Sequence, residues 1–266
     1  MIEPAYWSFM LGGLVNRPVV LSYDDLLSSP SFDQASVLTC TGSQLGEPLM
    51  ASVRWIGVPL RDLLAEAEVS SKAAHAHLYA ADGYATSIEL DWARSALLAY
   101  RMNGELLARE HGGPVRLIVP GLYGYKMPKW IQRILLADAP LQGVWERRGW
   151  SQVGVVQTTT AITRPRHLEQ MPCEPIYFAG AAYAGVRAVA RVEISVENGP
   201  WAPVNLLYGP PGTWTRWYAL WTPPAPGDYR VSARATGETV VSQPDSGQFS
   251  PNEAGAPHTI VVRVVG

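Results

Sequence analysis

Cysteine is scarce: 266 residues hold only Cys40 and Cys173, and neither belongs to a Cys-x-x-Cys or Cys-x-x-Cys-His pattern. A zinc finger, an iron–sulfur cluster and covalently attached c-type haem are thereby excluded. A single disulfide between the two stays open, but there is no disulfide framework. Charge is also sparse, at 17% of residues with a formal balance of −2. General nucleic-acid binding needs clustered Lys and Arg against phosphate, so that class is set aside. No window of about 18 apolar residues occurs, which leaves no membrane-spanning helix. The start, Met1-Ile2-Glu3-Pro4, is acidic, and the apolar stretch at 6–14 soon reaches turn residues, unlike a secretion signal. Compartment is not legible from these features.

The chain is 47% hydrophobic, enough for one large domain or two ordinary ones. Its first part mixes two periods. Residues 6–11, 36–39, 75–80, 85–89, 97–102, 115–119 and 130–136 predict strands, with turn chemistry in Ala81-Asp82-Gly83-Tyr84 and Asn103-Gly104-Glu105. Residues 23–28 predict a short helix capped by Ser22, with Asp24 and Asp25 in its first turn. Pro59 starts a clearer helix over 59–67, where Leu60, Leu63, Leu64 and Ala67 recur at i, i+3, i+4, i+7.

From about Thr158 helix signals vanish. Residues 189–196, followed by Glu197-Asn198-Gly199, and residues 229–235 are strands in a series of short runs separated by Gly, Pro and Asn. That pattern predicts a β-sandwich of immunoglobulin type. The expected architecture is α+β: a mixed domain over 1–160, then the sandwich over 161–266. Trp201, Trp214, Trp217 and Trp221 are expected to fill the sandwich core and a subunit interface.

Cys40 ends an apolar run, Ser36-Val37-Leu38-Thr39-Cys40. Three readings of its thiol stay open on the residues alone: soft-metal ligand, inert small hydrophobe, or nucleophile. The last needs a histidine base, for which His75, His77, His111 and His167 qualify by count only. His75 and His77 share one strand face, but alanines surround them and no third ligand is near, so they are read as a solvated face. Cys173 lies in a loop and receives no role.

Three ordered segments resemble the molybdopterin-dependent oxidoreductases of the sulfite oxidase family. One is Leu38-Thr39-Cys40-Thr41-Gly42-Ser43. The longest runs from Leu98-Ala99-Tyr100-Arg101-Met102-Asn103-Gly104-Glu105 through His111-Gly112-Gly113-Pro114-Val115-Arg116 to Gly124-Tyr125-Lys126-Met127-Pro128-Lys129-Trp130. The third combines Ala179-Gly180-Ala181-Ala182-Tyr183-Ala184-Gly185, Arg191-Val192-Glu193-Ile194-Ser195-Val196 and the tryptophans Trp214, Trp217 and Trp221.

The resemblance implies a molybdenum centre with Cys40 as the protein's ligand and catalytic residue. It implies molybdopterin, a pyranopterin without nucleotide, bound by Thr41, Ser43, His111, Arg116, Lys126, Met127, Pro128 and Lys129. Such a group carries a phosphate and a polar ring. Arg116 suits a forked contact to phosphate, the lysines act as point charges, and Gly121 and Gly124 permit close backbone approach. The activity implied is oxygen-atom transfer on a small substrate, with sulfur compounds the first class to consider and sulfoxide reduction the alternative. A cofactor-free binding or assembly module is the reading from another class. With no haem motif, a separate electron partner such as a cytochrome is implied, as is a homodimer. Relatives are often periplasmic or membrane-tethered.

Some positions depart from the family pattern. Sulfite oxidases follow the cysteine with Ala-Gly-Asn and paired arginines, whereas Thr41-Gly42-Ser43-Gln44-Leu45 offers no cation. Trp150 stands at the family's active-site tyrosine, and no counterpart of its upstream pterin-contacting stretch precedes Tyr6-Trp7. Arg54, Arg147 and Arg148 are the remaining candidates for substrate or partner contact.

Overall fold

A computed structural model describes residues 3–40, 50–238 and 257–266. The chain divides into two compact units, residues 1–38 with 53–155, and residues 39–52 with 156–266. Sheet dominates both. Among the described residues the α-helices are short: Tyr23–Ser28, Leu60–Glu66 and Leu90–Arg94.

In the first unit, one sheet runs in the order Val19–Ser22, Ser8–Gly13, Ile131–Ala137, His75–Ala80, Ala85–Glu89. Ser8–Gly13 and Ile131–Ala137 are parallel, and the other neighbours are antiparallel. A second sheet places Phe32–Thr39 and Met50–Pro59 beside Leu97–Met102. The far edge of Leu97–Met102 is shared by Glu105–Leu106 and Arg116–Ile118, with Arg116 opposite Ala99. This pairing places Arg116 in the interior. The Leu60–Glu66 helix buries Leu60, Leu63 and Leu64 in a core with Phe9, Leu11, Leu78, Leu97 and Ile134. Trp7 joins them and donates its indole N–H to the Ile131 carbonyl at 2.9 Å, linking positions far apart in sequence.

Local chemistry sets the boundaries. Ser22 and Asp25 form a reciprocal capping box at the first helix, fixing its start. Residues 4–6 take a 3-10 turn, so the first strand begins at Ser8 rather than at position 6. The last strand of that sheet begins at Ile131, because Trp130 adopts φ +53° and cannot continue a ladder.

The second unit carries two sheets and, among the described residues, no helix. One has the order Thr159–Arg164, Ile176–Tyr183, Thr215–Trp221, Asn205–Leu207. The other has the order Gln170–Pro172, His258–Val265, Gly227–Gly237, Val189–Val196, Ala202–Pro203. Phe178 and Trp217 from the first sheet share a core with Val192, Ile194, Val231 and Val262 from the second. Gly180 makes room for Trp217: a Cβ there would lie 2.3 Å from the indole. Of the four tryptophans named above only Trp217 is closed off from solvent, and the other three are half-buried.

Candidate functional site: a cation cradle

The segment from Leu107 to Trp130 folds into a tight turn against Leu97–Met102. Leu107 donates its N–H to Tyr100 at 2.8 Å, and the 3-10 turn Arg109–His111 closes on Gly112 at φ +104°. A Cβ at Gly113 would sit 2.0 Å from the Leu107 carbonyl, so only glycine lets the chain pass there.

Consecutive carbonyls of this turn face cations and an indole. Arg109 accepts from Trp130 Nε1 at 3.2 Å, Glu110 from Lys129 Nζ at 2.5 Å, and His111 from Arg116 Nη1 at 2.8 Å. Arg116 Nη2 donates to the Met127 carbonyl at 3.3 Å, while its Nε has no hydrogen-bond partner among the described residues. Arg116 is only 4% exposed. Burial pushes its pKa down to about 10, so it stays charged at neutral pH. Lys129 is half-buried and is lowered first by burial and then by the Arg116 charge, against a smaller opposing pull from Glu110. Neither cation makes an ion pair with a carboxylate among the described residues.

A buried cation without a counter-anion is an unfavourable arrangement that an anionic ligand relieves. The stem of this buried arginine and that of the half-buried Lys129 converge on Gly112, where a Cβ would lie 2.9 Å from Lys129 Cβ and 3.1 Å from Arg116 Cβ. The donor set therefore fits the phosphate of a pterin: a forked guanidinium with unused donors beside a point charge.

The expected residues distribute unevenly. His111, Arg116 and Lys129 come together. The Met127 side chain is in the apolar core, and its backbone carbonyl meets Arg116. Pro128 is buried and accepts from the Leu117 N–H. Lys126 is engaged differently. Its ammonium is fully enclosed and bonds Glu146 Oε1 at 2.5 Å, the Ser87 carbonyl at 2.9 Å and Thr86 Oγ1 at 3.3 Å. Burial lowers its pKa more than Glu146 raises it. Its charge is matched by the buried Glu146 carboxylate.

Cys40 follows the Phe32–Thr39 strand with its thiol exposed, and Thr39 donates its hydroxyl to the Cys40 carbonyl at 3.3 Å. Thr41 and Ser43 lie outside the described residues. Trp150 stacks on Trp145 at 4.3 Å and meets Tyr125 edge-on at 5.1 Å. Among the candidate arginines, Arg54 is bound through Nε and Nη2 to Asp33, Arg147 donates to the Gln142 carbonyl, and Arg148 lies over Trp145. A cleft of about 410 Å³ lined by Tyr79, Tyr84, Val144 and Arg147 contains none of the pterin candidates. His77 donates from Nε2 to the Ala139 carbonyl at 2.8 Å, and no three-residue metal cluster occurs among the described residues.

The family model described as oxidoreductase molybdopterin binding domain matches residues 1–145. The chain belongs to the molybdopterin-dependent oxidoreductases of the sulfite oxidase family. Its cofactor is molybdenum with molybdopterin. The uncharacterized oxidoreductase YuiH of Bacillus subtilis is 35% identical over 150 residues, covering 56% of this chain and 74% of that protein. An NADPH nitrate reductase of Aspergillus niger is 29% identical over 257 residues, covering 76% of this chain. The chain spans only 29% of that nitrate reductase's length. The sulfane dehydrogenase SoxCD of Paracoccus pantotrophus has a similar fold, with TM-score 0.76 and 26% identity, covering 92% of this chain and 70% of that one.

Trp55, Trp130 and Glu146 escaped the sequence reading of the site. Trp130 beside Lys129 was a usable signal, since tryptophan next to a cation-rich turn is a ready cation–π partner. Glu146 and Trp55 gave no local signal, because their partners lie 20 and 61 positions away.

Proposed function

We propose that this oxidoreductase transfers an oxygen atom to or from a small substrate, with Cys40 as the protein's ligand to molybdenum and the Arg116–Lys129 cradle holding the phosphate end of the pterin. The observation that carries the reading is the buried Arg116, without a carboxylate partner among the described residues, its stem packed against Gly112 beside that of Lys129. When bound, the cofactor supplies two-electron chemistry coupled to oxygen-atom transfer. This chain's own residues anchor the anion, exclude water from it and fix its orientation. His111 adds its carbonyl to the Arg116 bond network. An exposed thiol at a strand end suits Cys40 to a soft metal.

Sulfur compounds remain the first substrate class, supported by the sulfane dehydrogenase neighbour. Relatives named nitrate reductase support a second reading, in which the enzyme runs reductively on a small oxo-substrate. An electron partner, a cytochrome or a reduced-nicotinamide-linked protein, completes either direction.

The second unit is proposed to be an immunoglobulin-like sandwich that dimerises the enzyme. Its Ile176–Tyr183 and Thr215–Trp221 strands bury Phe178 and Trp217 on one face and leave Tyr177, Tyr218 and Leu220 outward. With Leu207, which pairs with the exposed Arg216 at the edge of the same side, these make a mainly apolar face that a second copy would cover.

Metal analysis tests the core of the reading: about one molybdenum per chain is expected after expression with ample molybdate. None would leave a cofactor-free module in its place. Three assays then set the direction: sulfite with ferricyanide, methionine sulfoxide with a reduced dye, and nitrate with a reduced dye. Turnover in the first alone selects oxidation, and turnover in either of the others selects reduction.

A further inference from the structure

We infer that Trp55 and Trp130 are positioning residues of the anion cradle: their indole faces hold the Arg116 and Lys129 cations in place without neutralising them. The inference rests on the cradle reading above and extends it to two residues with no assigned role.

The geometry is paired. The Arg116 guanidinium carbon lies 5.5 Å from the Trp55 ring centroid, and Lys129 Nζ lies 5.8 Å from that of Trp130. Both distances fall inside the roughly 6 Å reach of a cation–π contact. The usual partner for an enclosed cation is a carboxylate, and the same unit contains that solution at Lys126 and Glu146. A carboxylate cancels the charge. An aromatic face and carbonyl oxygens stabilise a cation while contributing no net charge, so they leave its positive potential available to an incoming phosphate.

Each tryptophan is placed in a way that packing alone does not require. Trp130 sits at φ +53°, an uncommon and costly conformation for a bulky side chain. There it lies under Lys129 while Nε1 bonds the Arg109 carbonyl, on the same turn that receives both cations. Trp55 is fully buried, yet its Nε1 has no partner among the described residues. Trp7 and Trp217, the other fully enclosed tryptophans, both have bonded indole N–H groups. Trp55 is thus held by its ring and serves through its face.

The test compares holoenzymes carrying Trp55→Phe, Trp55→Met, Trp130→Phe and Trp130→Met. Molybdenum and pterin per chain are measured as purified and during dialysis against inorganic phosphate. Methionine keeps apolar volume and removes the ring, so the Met variants should release cofactor about tenfold faster. The Phe variants should stay within about threefold of the parent. Met variants that hold cofactor like the parent overturn the proposal. Should Trp55→Met fail to fold by circular dichroism, site-specific fluorination of Trp55 drains the ring face at constant shape. Release that does not quicken with fluorination then overturns it. Arg116→Gln separates the two levels: if it retains cofactor, the cradle reading itself fails, whereas loss in Arg116→Gln with retention in the Met variants sinks only the tryptophan proposal.

Discussion

Lys126 Nζ donates to Glu146 Oε1 at 2.5 Å, with side-chain exposures of 0% and 1%. Thr86 donates to the same oxygen, and Ser87 ties its hydroxyl to the Leu141 backbone, so one polar hub joins the Ala85–Glu89 strand to two loops. Removing one partner leaves a charge buried alone. Lys126→Met or Glu146→Leu should each cost about 3–5 kcal/mol in urea unfolding, and the Lys126→Met/Glu146→Leu double variant should recover most of it. Single variants within about 1 kcal/mol of the parent would show that the pair does not anchor these loops.

That pair also marks where sequence reading stops. Strands His75–Ala80, Ala85–Glu89, Leu97–Met102 and Val189–Val196 match the expected bounds, because alternation and turn residues are local signals. The capped Tyr23–Ser28 helix matches for the same reason. Strand Phe32–Thr39 extends four residues before the expected start, since Asp33 and Gln34 are polar yet ladder-compatible. Lys126 is different. A lysine in Gly-Tyr-Lys-x-x-Lys looks alike whether it faces solvent, a phosphate or a distant carboxylate, and only the fold brings Glu146 to it. Arg116, by contrast, was legible as a cation but not as a buried one.

His258 makes the second unit sensitive to acid. Its Nδ1 accepts the Ile162 N–H at 3.1 Å, which requires a neutral ring. Burial, and then the charge of His167, lower its pKa below the ordinary 6.5. With the folded value depressed, the unfolded chain binds more protons as pH falls, so the neutral-ring stability is present above about pH 6.5 and lost below it. Melting temperature should drop between pH 7 and pH 5, and more weakly in His258→Asn. An equal drop in both would assign the acid sensitivity elsewhere.

The outward face of Tyr177, Tyr218 and Leu220 gives the dimer proposal a direct check. Tyr177 is 64% exposed and pairs across the ladder with Leu220, which is 55% exposed. Leu220→Glu should leave the melting temperature nearly unchanged, since surface substitutions usually stay within about 0.5 kcal/mol. It should convert a dimer to a monomer in sedimentation at micromolar concentration. A parent protein already monomeric there would remove the proposal.

Cys40→Ser separates metal ligation from folding. The thiol is exposed, so thermal stability without cofactor should move by less than about 0.5 kcal/mol. Activity and the sulfur-to-molybdenum charge-transfer absorption should both disappear. If both survive, another group ligates the metal.

Gly112 sets the spacing of the cradle's two cation stems. At φ +104° any L side chain is strained by about 1–3 kcal/mol, and here a Cβ would also press on Lys129 Cβ at 2.9 Å and Arg116 Cβ at 3.1 Å. Those atoms are next to the backbone and cannot swing aside as a chain end would. Gly104, at φ +90° with nothing within 4 Å, carries the strain without the crowding. Gly112→Ala should therefore lose both stability and molybdenum, measured by urea unfolding and metal content, while Gly104→Ala loses stability alone. Equal molybdenum in the two variants would mean that the spacing between Arg116 and Lys129 does not govern cofactor retention.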